Sequence, residues 1–192
     1  EVRDSFDAAE SGRVAVRVNP FVPPVNVSIQ ETASSLLKTS LAVQDASAVG
    51  QIVLGMCEAL NDDASDNSDA MGDAARARDV LLDALISTTG TESAAILTES
   101  TVSRNTAIIQ SVTASPRQLS SHATDKSLAF TRRLSSSDKL SSDAIGSIAA
   151  TVSNLLHAST QQYVENHRRL LDEDNASAST RVDAAYNRSS AL

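Results

Sequence analysis

The chain has 192 residues, a formal charge of -8 and a pI near 4.8. That acidic balance argues against nucleic acid and anionic membrane as partners, because both repel a negative surface. Aromatic residues make up 3% and tryptophan is absent, which suits helices packed through small side chains and poorly suits a large enzyme pocket walled by aromatic groups.

Residues 1–24 differ in period from the rest. Arg13-Val14-Ala15-Val16-Arg17-Val18 alternates strictly, so Val14, Val16 and Val18 share one face of a strand. One strand cannot stand alone. The segment therefore reads as the last strand of a preceding β module, ended by Asn19-Pro20 and followed by a stiff Pro23-Pro24 linker. A disordered tail is the competing reading.

Residues 25–171 read as one helical domain. Ile29, Ala33, Leu36, Leu37 and Leu41 make a first stripe. Asp45 or Ser47 caps a second helix, with Val49, Ile52, Val53, Met56 and Leu60 as its stripe. Gly50 and Gly55 weaken that helix by about 1 kcal/mol each relative to alanine, or admit a close neighbour. The acidic stretch 61–69 breaks the pattern. Ala74, Ala77, Leu81, Ala84 and Leu85 mark a third helix, closed by Gly90. A fourth runs from Thr91 to Ser115 with Leu97, Val102, Ile108, Ile109 and Val112, and Pro116 stops it.

Two further helices occupy residues 119–160. The first starts at Leu119-Ser120 and carries Ala123, Phe130 and Leu134. The second has Ser141 as N-cap, Asp143 in its first turn and a candidate staple between Leu140 and Ile145. Its stripe is Ile145, Ile148, Val152, Leu155 and Leu156, which the spacing assigns to the core. Tyr163, His167, Leu170 and Leu171 continue a stripe, and residues 172–192 read as a polar tail or linker. The expected fold class is thus mainly α: a bundle of about six short amphipathic helices behind one β-strand.

No catalytic, cofactor-binding or metal constellation is legible. Cys57 is the only cysteine and lies on the apolar side of its helix, which reads as a buried, inert thiol. His122, His157 and His167 lack helical metal-pair spacing. Asp62, Asp63, Asp66 and Asp69 lack the central glycine and terminal glutamate of a helix–loop–helix calcium site, so they read as a solvated loop. Three N-glycosylation sequons stand at Asn26, Asn175 and Asn187, in the expected linker and tail. No apolar run reaches the roughly 20 residues that span a bilayer.

Residues 109–159 resemble the helical part of the receptor-for-egg-jelly (REJ) region of polycystin-like surface proteins, which overlaps the helical subdomain of GAIN domains. The resemblance is carried by a helix, a T-x-x-P-x-x-L turn (Thr113, Pro116, Leu119), a helix, a serine-rich turn, and a helix ending in Asn154-Leu155-Leu156-His157-Ala158-Ser159. The helix with Arg76 and Arg78 and the segment RVAVRVNPF are also similar to that family. What it implies is an internal piece of a large extracellular or ciliary protein: a structural module of a surface protein or fibre, such as a flagellar hair (mastigoneme), or an ectodomain segment of a polycystin-like receptor. Its implied partners are neighbouring domains of the same chain, other copies in a fibre, or other surface proteins. Self-cleavage in GAIN domains uses a His-Leu-Ser or His-Leu-Thr tripeptide, and neither occurs in these 192 residues. A free intracellular helical adaptor is the remaining alternative.

Overall fold

A computed structural model describes residues 28–62, 68–89 and 97–189. The described part is helical, with α1 Ile29–Ala42, α2 Ala46–Asp62, α3 Ser68–Thr89, α4 Glu99–Thr113, α5 Ser121–Ser135 and α6 Ser142–Ser189. A 3-10 turn, Pro116–Gln118, joins α4 to α5. No strand occurs among the described residues. The expected strand at 13–18, the sequon at Asn26, Asp63, Asp66 and Gly90 lie outside them.

The helix starts follow local chemistry. The Ser28, Thr98 and Ser120 hydroxyls accept the N–H groups of Glu31, Thr101 and Ala123. Asp45 Oδ1 accepts from Ser47 and Ala48 at 3.0 Å each, so Asp45 rather than Ser47 caps α2. Ser141 Oγ accepts from Ala144 at 3.1 Å at the head of α6. Each interaction satisfies a donor that has no carbonyl partner within its helix. Between α1 and α2 the chain turns through Gln44, the one described non-glycine residue with positive φ, at 55°.

Two three-helix groups stack. α1, α2 and α3 pack on one another; α4, α5 and α6 do the same; α2 against α4 and α3 against α5 join the groups. One apolar core runs through both. The stripes of α2 to α5 face it as their spacing requires: Val49, Val53, Met56, Leu60, Ala74, Ala77, Leu81, Ala84, Leu85, Val102, Ile108, Ile109, Val112, Ala123, Phe130 and Leu134 are all buried. In α1, Ala33 and Leu37 are buried whereas Leu36 is exposed.

Helix α6 corrects the sequence reading. Only Leu155 of the five residues assigned to the core is buried, and Ile148 is half-buried. Ile145 is 55% exposed, Val152 37% and Leu156 65%. The buried face is instead Ala144, Thr151, Leu155 and Ala158, which follow one another by seven, four and three residues. The reason is size. α6 lies against both α4 and α5, and small side chains let backbones approach where a row of Ile, Val and Leu would hold them apart. The helix also continues to Ser189, so residues 172–189, which include Asn175 and Asn187, are helical backbone. It is 48 residues long, about 72 Å at 1.5 Å per residue. No helix among the described residues is long and apolar enough to cross a membrane.

Candidate functional site

The most polar point of the interior is Arg78 on α3, which is fully buried. Its guanidinium donates in every direction. Nε donates to Gln118 Oε1 at 3.1 Å. One terminal nitrogen donates to the carbonyls of Val112 and Ser111, at 2.7 and 3.4 Å. The other donates to Asn61 Oδ1 at 2.6 Å and again to Gln118 Oε1 at 2.8 Å. Asn61 extends the network: its amide donates to the Ser111 carbonyl at 3.2 Å, and its Oδ1 accepts from Ser115 Oγ at 3.2 Å.

Every guanidinium N–H is therefore engaged, and all of these acceptors are neutral. The electrostatic compensation comes from geometry. Ser111 and Val112 lie in the last turn of α4, at the negative end of the helix dipole. Burial lowers the Arg78 pKa, and the neighbouring Cys57 opposes that shift. Burial raises the Cys57 thiol from 9.0 to about 11, with Arg78 opposing it. Such a thiol is neutral and a poor nucleophile near pH 7, as the apolar side of α2 had suggested. The guanidinium has no free donor to offer a ligand. It ties α2, α3, α4 and the 3-10 turn together.

The T-x-x-P-x-x-L residues serve the same junction. Thr113 Oγ1 donates back to the Ile109 carbonyl at 3.0 Å and ends α4. Pro116, which has no N–H to lose, opens the 3-10 turn. Leu119 is buried, and its carbonyl accepts from Gln162 of α6 at 2.9 Å. Ser120 caps α5 and donates to Asp79 of α3 at 2.6 Å.

The histidines do not converge. His122 and His157 are exposed, His157 contacts Gln161 at 3.0 Å, and His167 stacks on Tyr163 with ring centres 6.2 Å apart. No group of three or more His, Cys, Asp or Glu suited to a metal occurs among the described residues. An open groove of about 570 Å³ lies where the 3-10 turn meets α6, lined by Pro116, Leu119, Ser121, Gln162, Glu165 and Arg169 among others. Glu165 accepts from Arg169 at 3.2 Å on its wall, and the lining holds no histidine or cysteine to pair with its serines.

The remaining unusual surface is the outer face of α6. Ile145, Ala149, Val152, Leu156, Tyr163 and Leu170 fall on one strip at steps of three, four or seven, and all six are exposed. The large ones are therefore a real stripe turned away from the core. Spacing alone shows that such a stripe exists; which side of the helix is buried depends on the neighbours it meets.

No protein-family model matches this chain, and no curated protein and no solved structure gives a significant match.

Proposed function

We propose that this chain is a non-enzymatic structural and interaction module of a large extracellular or ciliary surface protein or fibre, such as a flagellar hair. One observation carries the interaction reading: the most polar buried site is consumed in holding helices together, while a long apolar strip on α6 is left facing outward. A row of exposed large apolar side chains such as Ile145, Val152 and Leu156 supports an interaction site. The extracellular or ciliary placement is supported by the likeness of residues 109–159 to the REJ region and by the sequons at Asn26, Asn175 and Asn187.

The experiment is surface labelling of intact source cells with a membrane-impermeant reagent, followed by enzymatic removal of N-glycans and mass analysis of the three sequon peptides. Labelled protein with glycan on at least one sequon is the expected result. Protein found in the cytosol with all three sequons unmodified overturns the placement and favours an intracellular adaptor. A specific backbone break downstream of this segment in the mature protein favours a self-cleaving receptor instead.

A further inference from the structure

The strip on α6 has a property beyond exposure. At 3.6 residues per turn, the charged residues of α6 between Asp143 and Asp172 sit roughly 100° or more around the helix from it. These are Asp143, Glu165, Arg168, Arg169 and Asp172. In a chain that is 21% charged, this leaves a face without Asp, Glu, Lys or Arg from Ile145 to Leu170, about 39 Å long at 1.5 Å per residue, apolar from Ile145 to Leu156 and interrupted by Ser159, Asn166 and His167 beyond it. It runs along the part of α6 packed on the body and on through Tyr163 and Leu170, which are 71% and 60% exposed.

We propose that this face pairs with the same face of a second copy of the chain, as two antiparallel α6 helices. The inference rests on the reading of the chain as an interaction module and names its partner. Three observations select that occupant. First, the cover must be long and straight, and the next longest described helix, α3, has 22 residues and lies within the body. Second, the strip offers no charge to an acidic or basic partner, yet lets two chains of charge -8 meet where neither carries it. Third, the largest side chains of the strip match when it is reversed. Ile145 then faces Leu170 and Val152 faces Tyr163, while Ala149 meets Asn166 and Leu156 meets Ser159 beside the two-fold axis. In heptad terms, Ile145 and Val152 hold d positions while Leu156, Tyr163 and Leu170 hold a positions. The parallel two-stranded pattern of a β-branched residue at a with leucine at d is absent, and an antiparallel pair sets a against d in every layer. The opposite side of α6 is covered by α4 and α5, so one partner helix completes it. The contact is isologous and closes as a dimer.

Sedimentation velocity of the 192-residue chain tests this over a hundredfold range of concentration, beside Leu156→Glu. The wild type is expected to shift toward twice 20.1 kDa in the micromolar range. Leu156→Glu is expected to stay monomeric at tenfold higher concentration with unchanged helicity and melting, because that side chain is exposed. Under mild oxidation, Ile145→Cys/Leu170→Cys should give covalent dimers and Ile145→Cys alone should not; Cys57, fully buried, stays silent. A wild type that remains monomeric throughout, a Leu156→Glu variant that dimerises as readily, or efficient self-crosslinking of Ile145→Cys each overturns the proposal. A monomer found at the cell surface sinks this inference alone. A dimer confined to cytosol sinks the surface placement alone.

Discussion

Replacing Arg78 by methionine is the sharpest perturbation of the fold. The methionine fills much of the same volume but removes every donor of the guanidinium. The carbonyls of Ser111 and Val112, Asn61 Oδ1 and Gln118 Oε1 then lose a charged donor at 2.6–3.4 Å. Ser111 keeps the Asn61 amide and Asn61 keeps Ser115 Oγ, so Val112 and Gln118 are hit hardest. A buried acceptor left unpaired costs about 1–3 kcal/mol. The buried Val112 carbonyl bears that cost in full and the half-buried Gln118 amide only part of it; less the desolvation that a buried cation no longer incurs, the loss is about 1–3 kcal/mol. A domain of this size holds only about 5–15 kcal/mol in total. Arg78→Lys should recover less than half, because one ammonium cannot span acceptors on three sides. Urea unfolding followed by circular dichroism at 222 nm reads both variants. An Arg78→Met protein as stable as the wild type would show that the network is incidental to the fold.

Three further outcomes follow from the same structure. Leu155→Ala, on a side chain 4% exposed, should cost about 2–5 kcal/mol, whereas Leu156→Ala, at 65%, should change thermal unfolding little when measured on dilute monomer. Gly55→Ala should raise the melting point, gaining up to about 1 kcal/mol, because nothing lies within 4 Å of the new methyl; Gly50→Ala should gain less or lose, because its methyl would stand 3.0 Å from Ile108 Cδ1. Cys57 has a raised pKa in the folded state, so its contribution to stability is complete below pH 9 and is lost as pH rises toward about 11. Denaturant titrations of wild type and Cys57→Ala at pH 7 to 11 should therefore converge in slope below pH 9 and differ above it.

Helix number, order and most of the core were legible because periodicity reports amphipathicity directly. Residues such as Leu81, Leu85 and Val112 lie on stripes whose opposite faces are polar, leaving one choice of side. α6 is ambiguous: it carries a small-residue face through Ala144, Thr151 and Ala158 and a large apolar face through Ile145, Val152 and Leu156. Hydrophobicity ranks the second face higher, while close packing against α4 and α5 uses the first. The Arg78 network was invisible for another reason. Its acceptors, Asn61, Ser111, Val112 and Gln118, span three elements and include two backbone carbonyls, which leave no mark in sequence. The resemblance marked the helix with Arg78, and the spacing shows it as a cation beside the Ala77 and Leu81 stripe, but neither names its partners.

α6 turns a small-residue face inward and leaves a large apolar face outward, the face that the proposed pairing covers. Labelling rates of single cysteines at Ala144, Ile145, Thr151, Val152, Leu155 and Leu156, in a Cys57→Ala background, test it within one experiment. At high dilution, fast labelling is expected at 145, 152 and 156 and slow labelling at 144, 151 and 155. With rising protein concentration, the three fast positions should become protected. Slow labelling at 145, 152 and 156 in dilute monomer would return those residues to the core and contradict the account, as would fast labelling at 145, 152 and 156 that no concentration suppresses.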